Sequence, residues 1–262
     1  MGSNKRLIAL SQLESIFRKA WAVELLALLK TKYSYQEIEQ FTKEMKIFTD
    51  SEGEPKPLSK TILNRYVRGH VLPRGQRTEK LIDLCLSKLD LRKAVRERIR
   101  WEGQFIDNTA LLSDIRLLGM IAIDVARIYS PQGITKLLTA AVDGIPIAAL
   151  IARELRCELI IAKKSREVGV QAYHEETYIP SGSGTVQTLY IPKKALNNRD
   201  RVLICDDIIR SGHTQRALIN LARGSKSTIG GVFILIAING GEWKNAINTG
   251  NVEVYVSLSP PI

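Results

Sequence analysis

The run Val202-Leu203-Ile204-Cys205-Asp206-Asp207-Ile208-Ile209-Arg210-Ser211-Gly212-His213-Thr214 constrains this chain more than any other stretch. Its first four residues are apolar and read as a buried parallel strand, two carboxylates close it, and a Ser-Gly-His-Thr turn opens onto a helical run from Gln215 to Ala222. The N–H groups that begin a helix point outward unpaired and carry the positive end of its dipole, so Ser211 to Thr214 suit a bound phosphate. Ser211 and Thr214 add hydroxyl donors, Gly212 lets the backbone approach closely, and the carboxyl end of a strand is where open α/β sheets take ligands. Asp206 and Asp207 can then accept hydrogen bonds from sugar hydroxyls, directly or through Mg²⁺. Arg210 and His213 put further positive character beside the same cradle. An ordinary strand-turn-helix would leave two adjacent acids at a sheet end without a partner.

The run resembles the phosphoribosyl pyrophosphate signature of type I phosphoribosyltransferases, a hydrophobic strand followed by Asp-Asp-x-x-x-(Ser/Thr)-Gly-x-Thr, with every fixed position filled. The resemblance covers residues 110 to 262 and implies a phosphoribosyl ligand, with Mg²⁺ carried together with bound phosphoribosyl pyrophosphate. It also places a pyrophosphate loop at Val142, Asp143 and Gly144, between a first strand and its helix, although Asp-Gly is equally a common turn. Lys163 and Lys164 fall where the family puts a basic residue on the same pyrophosphate, although lysine pairs also mark plain strand ends. Residues 165 to 192 match the flexible loop that closes over substrate, and read as a two-stranded ribbon or flap. Within them, Ser181-Gly182-Ser183-Gly184-x-x-Gln187-Thr188 is similar to the same region of bacterial purine-operon repressors, which join a DNA-binding domain to this fold.

The alternation of elements agrees with the resemblance. Strands at Lys136 to Ala140 and Glu158 to Ala162 flank a helix at Pro146 to Leu155, two more strands follow at Gly231 to Ala237 and Val252 to Ser257, and a helix at Leu111 to Tyr129 covers the sheet. The fold expected is α/β: an all-α helix-turn-helix domain over residues 1–89, a linker helix over 90–109, and a phosphoribosyltransferase-like parallel-sheet domain over 110–262.

The formal charge of +11 is unevenly shared. Residues 1 to 104 hold 21 Lys and Arg against 13 Asp and Glu, and residues 105 to 262 hold 17 against 14. A polyanionic partner is therefore expected at the N-terminal part. There, apolar residues from Leu7 to Leu29 have helical spacing, Ser34 and Glu37 form a capping box for a second helix, and residues 48 to 57 make a polar loop. Ser59 caps a short helix whose inner face is Ile62, Leu63, Tyr66 and Val67 and which Gly69 and Pro73 stop, with a further helix from Thr78 to Leu89 behind it. Ser59, Lys60, Thr61, Asn64, Arg65 and Arg68 are left to contact DNA, since Asn and Arg read base edges while Lys, Ser and Thr hold phosphates. The order Ser-x-x-x-Leu-x-x-Tyr-x-x-Gly-x-x-x-Pro resembles the third helix and exit of repressor-type helix-turn-helix domains. A solvated basic face on a small helical bundle is the plainer reading of the same residues.

Composition excludes some classes. No apolar stretch is long enough for a signal peptide or a membrane span, so a cytoplasmic protein with no membrane partner is expected. Cys85, Cys157 and Cys205 are far apart without metal-ligand spacing and are expected to be buried thiols, with no protein metal site. The reading favoured is a homodimeric transcription regulator that binds double-stranded DNA and senses phosphoribosyl pyrophosphate or a nucleotide. No catalytic residue is assigned, because no base-binding hood is identifiable and the segment after the last strand is too short to supply one. The alternative is an active purine or orotate phosphoribosyltransferase with an accessory helical domain; an RNA-binding regulator is the third reading.

Overall fold

Trp21, Ala22, Leu25, Leu26 and Leu29 recur at helical spacing and are all buried on the first helix, α1 (Gly2–Lys32). The computed structural model describes residues 2–103, 105–180, 184–239, 243–247 and 251–259. Contacts divide it into two units, Met1–Leu91 and Arg92–Ile262.

In the first unit α1 packs on α4 (Gln76–Leu89), whose Leu81, Ile82, Leu84 and Cys85 are buried. α2 (Tyr35–Glu44) begins at the expected capping box: Glu37 N–H donates to Ser34 Oγ at 3.2 Å, and Ser34 N–H donates to Glu37 Oε2 at 2.7 Å. The polar loop at 48 to 57 folds into a hairpin of β1 (Phe48–Thr49) and β2 (Pro55–Lys56). Asp50 builds its turn by accepting the N–H groups of Glu52 and Glu54 at 3.0 and 2.9 Å and pairing with Lys56 at 2.9 Å.

α3 (Lys60–Val67) follows, and two details differ from the sequence reading. Ser59 occupies the N-cap position but makes no side-chain cap bond; the Glu39 carboxylate reaches over from α2 to accept the Lys60 N–H. Ile62, assigned to the inner face, is 37% exposed, while Leu63 and Tyr66 carry the burial. Eight residues give little more than two turns, so the buried stripe narrows to positions three apart.

The 90–109 linker helix is not formed. α5 (Leu91–Arg96) stops after six residues, and β3 (Arg100–Glu102) pairs antiparallel with β4 (Phe105–Asp107). Gly103, at φ +60°, supplies the left-handed turn, and Trp101, Phe105 and Ile106 favour strand over helix. The predicted 111 to 129 helix is likewise broken into α6 (Thr109–Leu112) and α7 (Ile115–Tyr129). Asp114 makes the break by accepting the Leu117 N–H at 3.0 Å as an N-cap, and Arg98 holds its other oxygen at 2.7 Å.

The sheet of the second unit contains β5 (Lys136–Ala140), β6 (Glu158–Ala162), β9 (Arg201–Ile209), β10 (Thr228–Ile238) and β11 (Val252–Leu258). All are parallel, in the order β11-β10-β9-β5-β6. α8 (Ile145–Leu155) and α9 (His213–Gly224) are the crossovers beside the centre, and β10 is buried from Gly230 to Ile238. The predicted ribbon is β7 (Tyr173–Tyr178) with β8 (Gln187–Pro192), tied to the sheet where Lys163 and Tyr190 exchange backbone hydrogen bonds at 3.0 and 2.8 Å. Ser181, Gly182 and Ser183 of the repressor-like stretch lie outside the described residues. Cys85 and Cys205 are buried and Cys157 half-buried, all as free thiols.

Candidate functional site

The strand order reverses between β5 and β9, since the chain runs outward from β5 to β6 and then returns to β5's other side. Such a reversal opens a crevice at the carboxyl ends of the two strands. β9 is longer than expected: Asp206 and Asp207 lie within it, and β10 pairs with it as far as Ile209. β5 pairs with β9 only as far as Leu138 opposite Ile204, so both carboxylates sit where β9 has lost one neighbour.

Asp206 and Asp207 are 5% and 8% exposed. Gln215, from the first turn of α9, donates to Asp206 Oδ2 at 2.6 Å and to the Ile208 carbonyl at 3.2 Å. Burial pushes the Asp206 carboxyl well above the usual carboxylate range, with the charge of Asp207 adding to it. Burial, then the charge of Asp143, pushes Asp207 up as well. The predicted loop after β5 is thereby brought against the pair. A Cβ on Gly144 would stand 2.5 Å from Thr139 Oγ1 and 2.8 Å from Asp206 Oδ1, so only glycine allows this approach. Thr139 Oγ1 is buried without a hydrogen-bond partner among the described residues. Val142 is 73% exposed at the mouth of the loop.

The second half of the site is the turn from β9 into α9. Gly212, at φ +80°, is the N-cap, and α9 starts at His213, two residues before its apolar periodicity begins. The turn borders a cavity of about 190 Å³ lined by Arg210, Ser211, Gly212, His213 and Thr214 with Pro180 and Ile208. His213 Nδ1 is buried without a partner among the described residues, and Thr214 Oγ1 lies 3.5 Å from the Tyr178 hydroxyl of the ribbon. A Cβ on Gly212 would meet Trp243 and Ala246 of α10 (Trp243–Ala246) at 3.1 to 3.2 Å, so α10 closes the back of the turn.

Lys163 and Lys164 follow β6 directly. Lys163 pairs with Glu167 one helical turn's spacing later, whereas Lys164 is exposed. Four neighbours escaped the sequence reading: Gln215, Thr139, Trp243 and Asn108, whose Nδ2 donates to Asp207 Oδ2 at 2.8 Å across 99 positions of chain. Only Gln215 carried a signal, an amide placed for the strand it follows.

In the first unit α3 exposes Ser59, Lys60, Thr61, Arg65 and Arg68 together with Ile62. Asn64 is half-buried, its Oδ1 accepting from the Tyr35 hydroxyl at 3.3 Å. No helix among the described residues is long and apolar enough to cross a membrane.

The parallel sheet, its switch point and the covering ribbon define the type I phosphoribosyltransferase fold. The adenine phosphoribosyltransferase of Rhodothermus marinus shares it, with a TM-score of 0.58 over 65% of this chain and 99% of that one at 23% identity. No protein-family model matches the chain. Among named proteins it is similar to the purine biosynthesis transcriptional repressor of Bacillus subtilis, 25% identical over 156 residues, which are 60% of this chain and 53% of that one. A probable purine biosynthesis regulator of Streptococcus pneumoniae is 28% identical over 174 residues, 63% of either chain. The chain thus spans less than two thirds of either regulator's length. The xanthine phosphoribosyltransferase of Lachnoclostridium phytofermentans is 32% identical over 124 residues, 47% of this chain and 64% of that one.

Proposed function

We propose that the protein is a DNA-binding transcription regulator whose phosphoribosyltransferase-like unit senses phosphoribosyl pyrophosphate or a related nucleotide. The observation that carries the reading is that one chain holds both halves: a buried carboxylate pair beside a helix-opening turn, and a short helix that turns Lys60, Thr61, Arg65 and Arg68 to solvent. Similarity to two purine-biosynthesis regulators supports it.

On the ligand side, the 5′-phosphate would rest on the backbone of Ser211 to Thr214, with the hydroxyls of Ser211 and Thr214 and the unpartnered His213 nitrogen as further contacts. Asp206 and Asp207 would take the ribose hydroxyls, and the amides of Val142 to Gly144 would face the pyrophosphate, joined by Lys163 once it leaves Glu167 and by Lys164. Mg²⁺ would arrive with the ligand and offset the three carboxylates Asp143, Asp206 and Asp207. On the DNA side, α3 would enter the major groove. Arg65 would face base edges, Ser59, Lys60, Thr61 and Arg68 the phosphates, and Ile62 would meet a thymine methyl. Asn64 would read a base only after releasing Tyr35. A homodimer would present two such helices about one turn of DNA, ~34 Å, apart.

Arg65→Ala tests the DNA half: sequence-selective retention of duplex fragments should disappear while binding of phosphoribosyl pyrophosphate stays unchanged. A wild-type protein that shows no selectivity overturns the reading. The xanthine phosphoribosyltransferase likeness favours a second reading, an active transferase with an accessory helical unit. Efficient conversion of phosphoribosyl pyrophosphate and any purine or orotate to a nucleotide would establish it.

A further inference from the structure

Asn108 occupies the position that opens α6, where an asparagine side chain ordinarily accepts from the helix's own first N–H groups. Here it makes no such bond. The turn is built without it: the Asp107 carboxylate accepts the Thr109 N–H at 2.9 Å, and the Asn108 carbonyl accepts the N–H groups of Leu111 and Leu112 at 2.9 Å each. The Asn108 amide is directed instead to the carboxylate pair, where Nδ2 donates to Asp207 Oδ2 at 2.8 Å. Each acid of the pair is thus held by an amide, Asp206 by Gln215 and Asp207 by Asn108. An amide fixes a carboxylate without bringing a charge of its own, whereas a lysine or arginine in that place would cancel what draws hydroxyls and Mg²⁺ to it.

We propose that Asn108 is a positioning residue that sets the site's preference for ribose over deoxyribose, by fixing the Asp207 carboxylate in the orientation that accepts a ribose hydroxyl. The inference rests on the proposed phosphoribosyl reading of the site. An aspartate carboxyl turns about a broad torsion, so its oxygens have no fixed direction until something holds one of them. The 2.8 Å bond to Oδ2 supplies that hold, and the plane of the group and the direction of its other oxygen follow from it. A carboxylate accepts several donors at once, so a ribose hydroxyl binds with the Asn108 bond in place. Burial makes the orientation count, because at 8% exposure Asp207 has little water to compensate a misdirected hydrogen bond. The hold comes from the turn between β4 and α6 and not from the strand that carries Asp207, so residue 108 can be altered with the Asp206 to Thr214 run intact.

Titration calorimetry on the full chain with ribose 5-phosphate, 2-deoxyribose 5-phosphate and 3-deoxyribose 5-phosphate tests the assignment, in the wild type, Asn108→Ala and Asn108→Leu. These sugars carry the phosphate and the hydroxyls without a base or a pyrophosphate. The wild type should bind ribose 5-phosphate about tenfold more tightly than at least one of the deoxy sugars, the worth of a hydrogen bond to a charged group. In both variants the affinity for ribose 5-phosphate should fall to that for the deoxy sugar, which itself should bind as it does to the wild type. Leucine fills nearly the space of asparagine without a donor, so a preference kept by Asn108→Leu and lost by Asn108→Ala would assign the effect to packing and overturn the proposal. Equal weakening of ribose and deoxyribose binding, or a preference unchanged in both variants, also overturns it and leaves the site reading standing. A wild type that binds none of the sugars, or all three alike, removes the ribose contacts of Asp206 and Asp207 and the proposal with them.

Discussion

Gln215 and Asp206 are joined by a 2.6 Å hydrogen bond that links the first turn of α9 to the buried strand before it. Both residues are almost fully enclosed, at 3% and 5% exposure, so each satisfies a group that water does not reach. The same amide also serves the Ile208 carbonyl, which fixes the angle at which the turn leaves the strand. Gln215→Ala should cost about 1–3 kcal/mol of stability, as expected when a buried acceptor is left unmade. Denaturant unfolding measures it, and a loss confined to a few tenths would show that water takes the amide's place.

The raised carboxyls give a pH dependence of definite sign. Asp206 and Asp207 both titrate above their unfolded value, burial being the first cause for each. The folded chain therefore keeps protons that the unfolded chain sheds from about pH 4 upward, and stability falls as pH rises from there through the raised values. Asp207→Asn removes one of these acids but still offers an acceptor to Asn108. It should flatten that fall, raise the ligand-free melting temperature near neutral pH by about 2–4 °C, and abolish the stabilisation that phosphoribosyl pyrophosphate gives. Scanning calorimetry at pH 4.5 and 7.5 checks the sign.

Gly144 is where packing leaves no room for change. In Gly144→Ala the new methyl would lie 2.5 Å from Thr139 Oγ1 and 2.8 Å from Asp206 Oδ1, forcing the loop away from the carboxylates. A stability loss of about 1–3 kcal/mol is expected from the overpacking, together with a larger loss of ligand affinity. A titration showing wild-type affinity would place the pyrophosphate elsewhere.

Ile62 yields a prediction about sequence preference. A half-exposed isoleucine on the first turn of α3 suits a thymine methyl. Replacing one thymine of a single half-site by deoxyuracil should weaken wild-type binding roughly fourfold, about the worth of one buried methyl, and leave Ile62→Ala indifferent. Equal sensitivity of the two proteins at every position would remove Ile62 from the interface.

Much of the sheet was legible because its signals are local. β5 and β6 fall on the residues expected, and the signature around Asp206 to Thr214 lies at the sheet's switch point. The expected strand end at Cys205 was short by four residues, because pairing with β10 carries β9 past its apolar run. The 90–109 helix failed for a similar reason: basic residues at helical spacing continue beyond Arg96, but Gly103 and the aromatic pair around it turn the chain back on itself. Ile62 was misassigned because burial in a two-turn helix depends on how α3 is tilted, which periodicity does not encode. Asn108 could not have been found, since it meets Asp207 only through the path of the hairpin.

Selection of genomic duplex fragments by the wild-type protein, with and without phosphoribosyl pyrophosphate and Mg²⁺, tests the central claim most directly, because partner and effector are read together. A small set of related sequences should be enriched, with their retention changed at least several-fold by the ligand. Enrichment of nothing above the random background, or of a set whose retention is the same with ligand and without it, would contradict a ligand-sensing DNA-binding regulator.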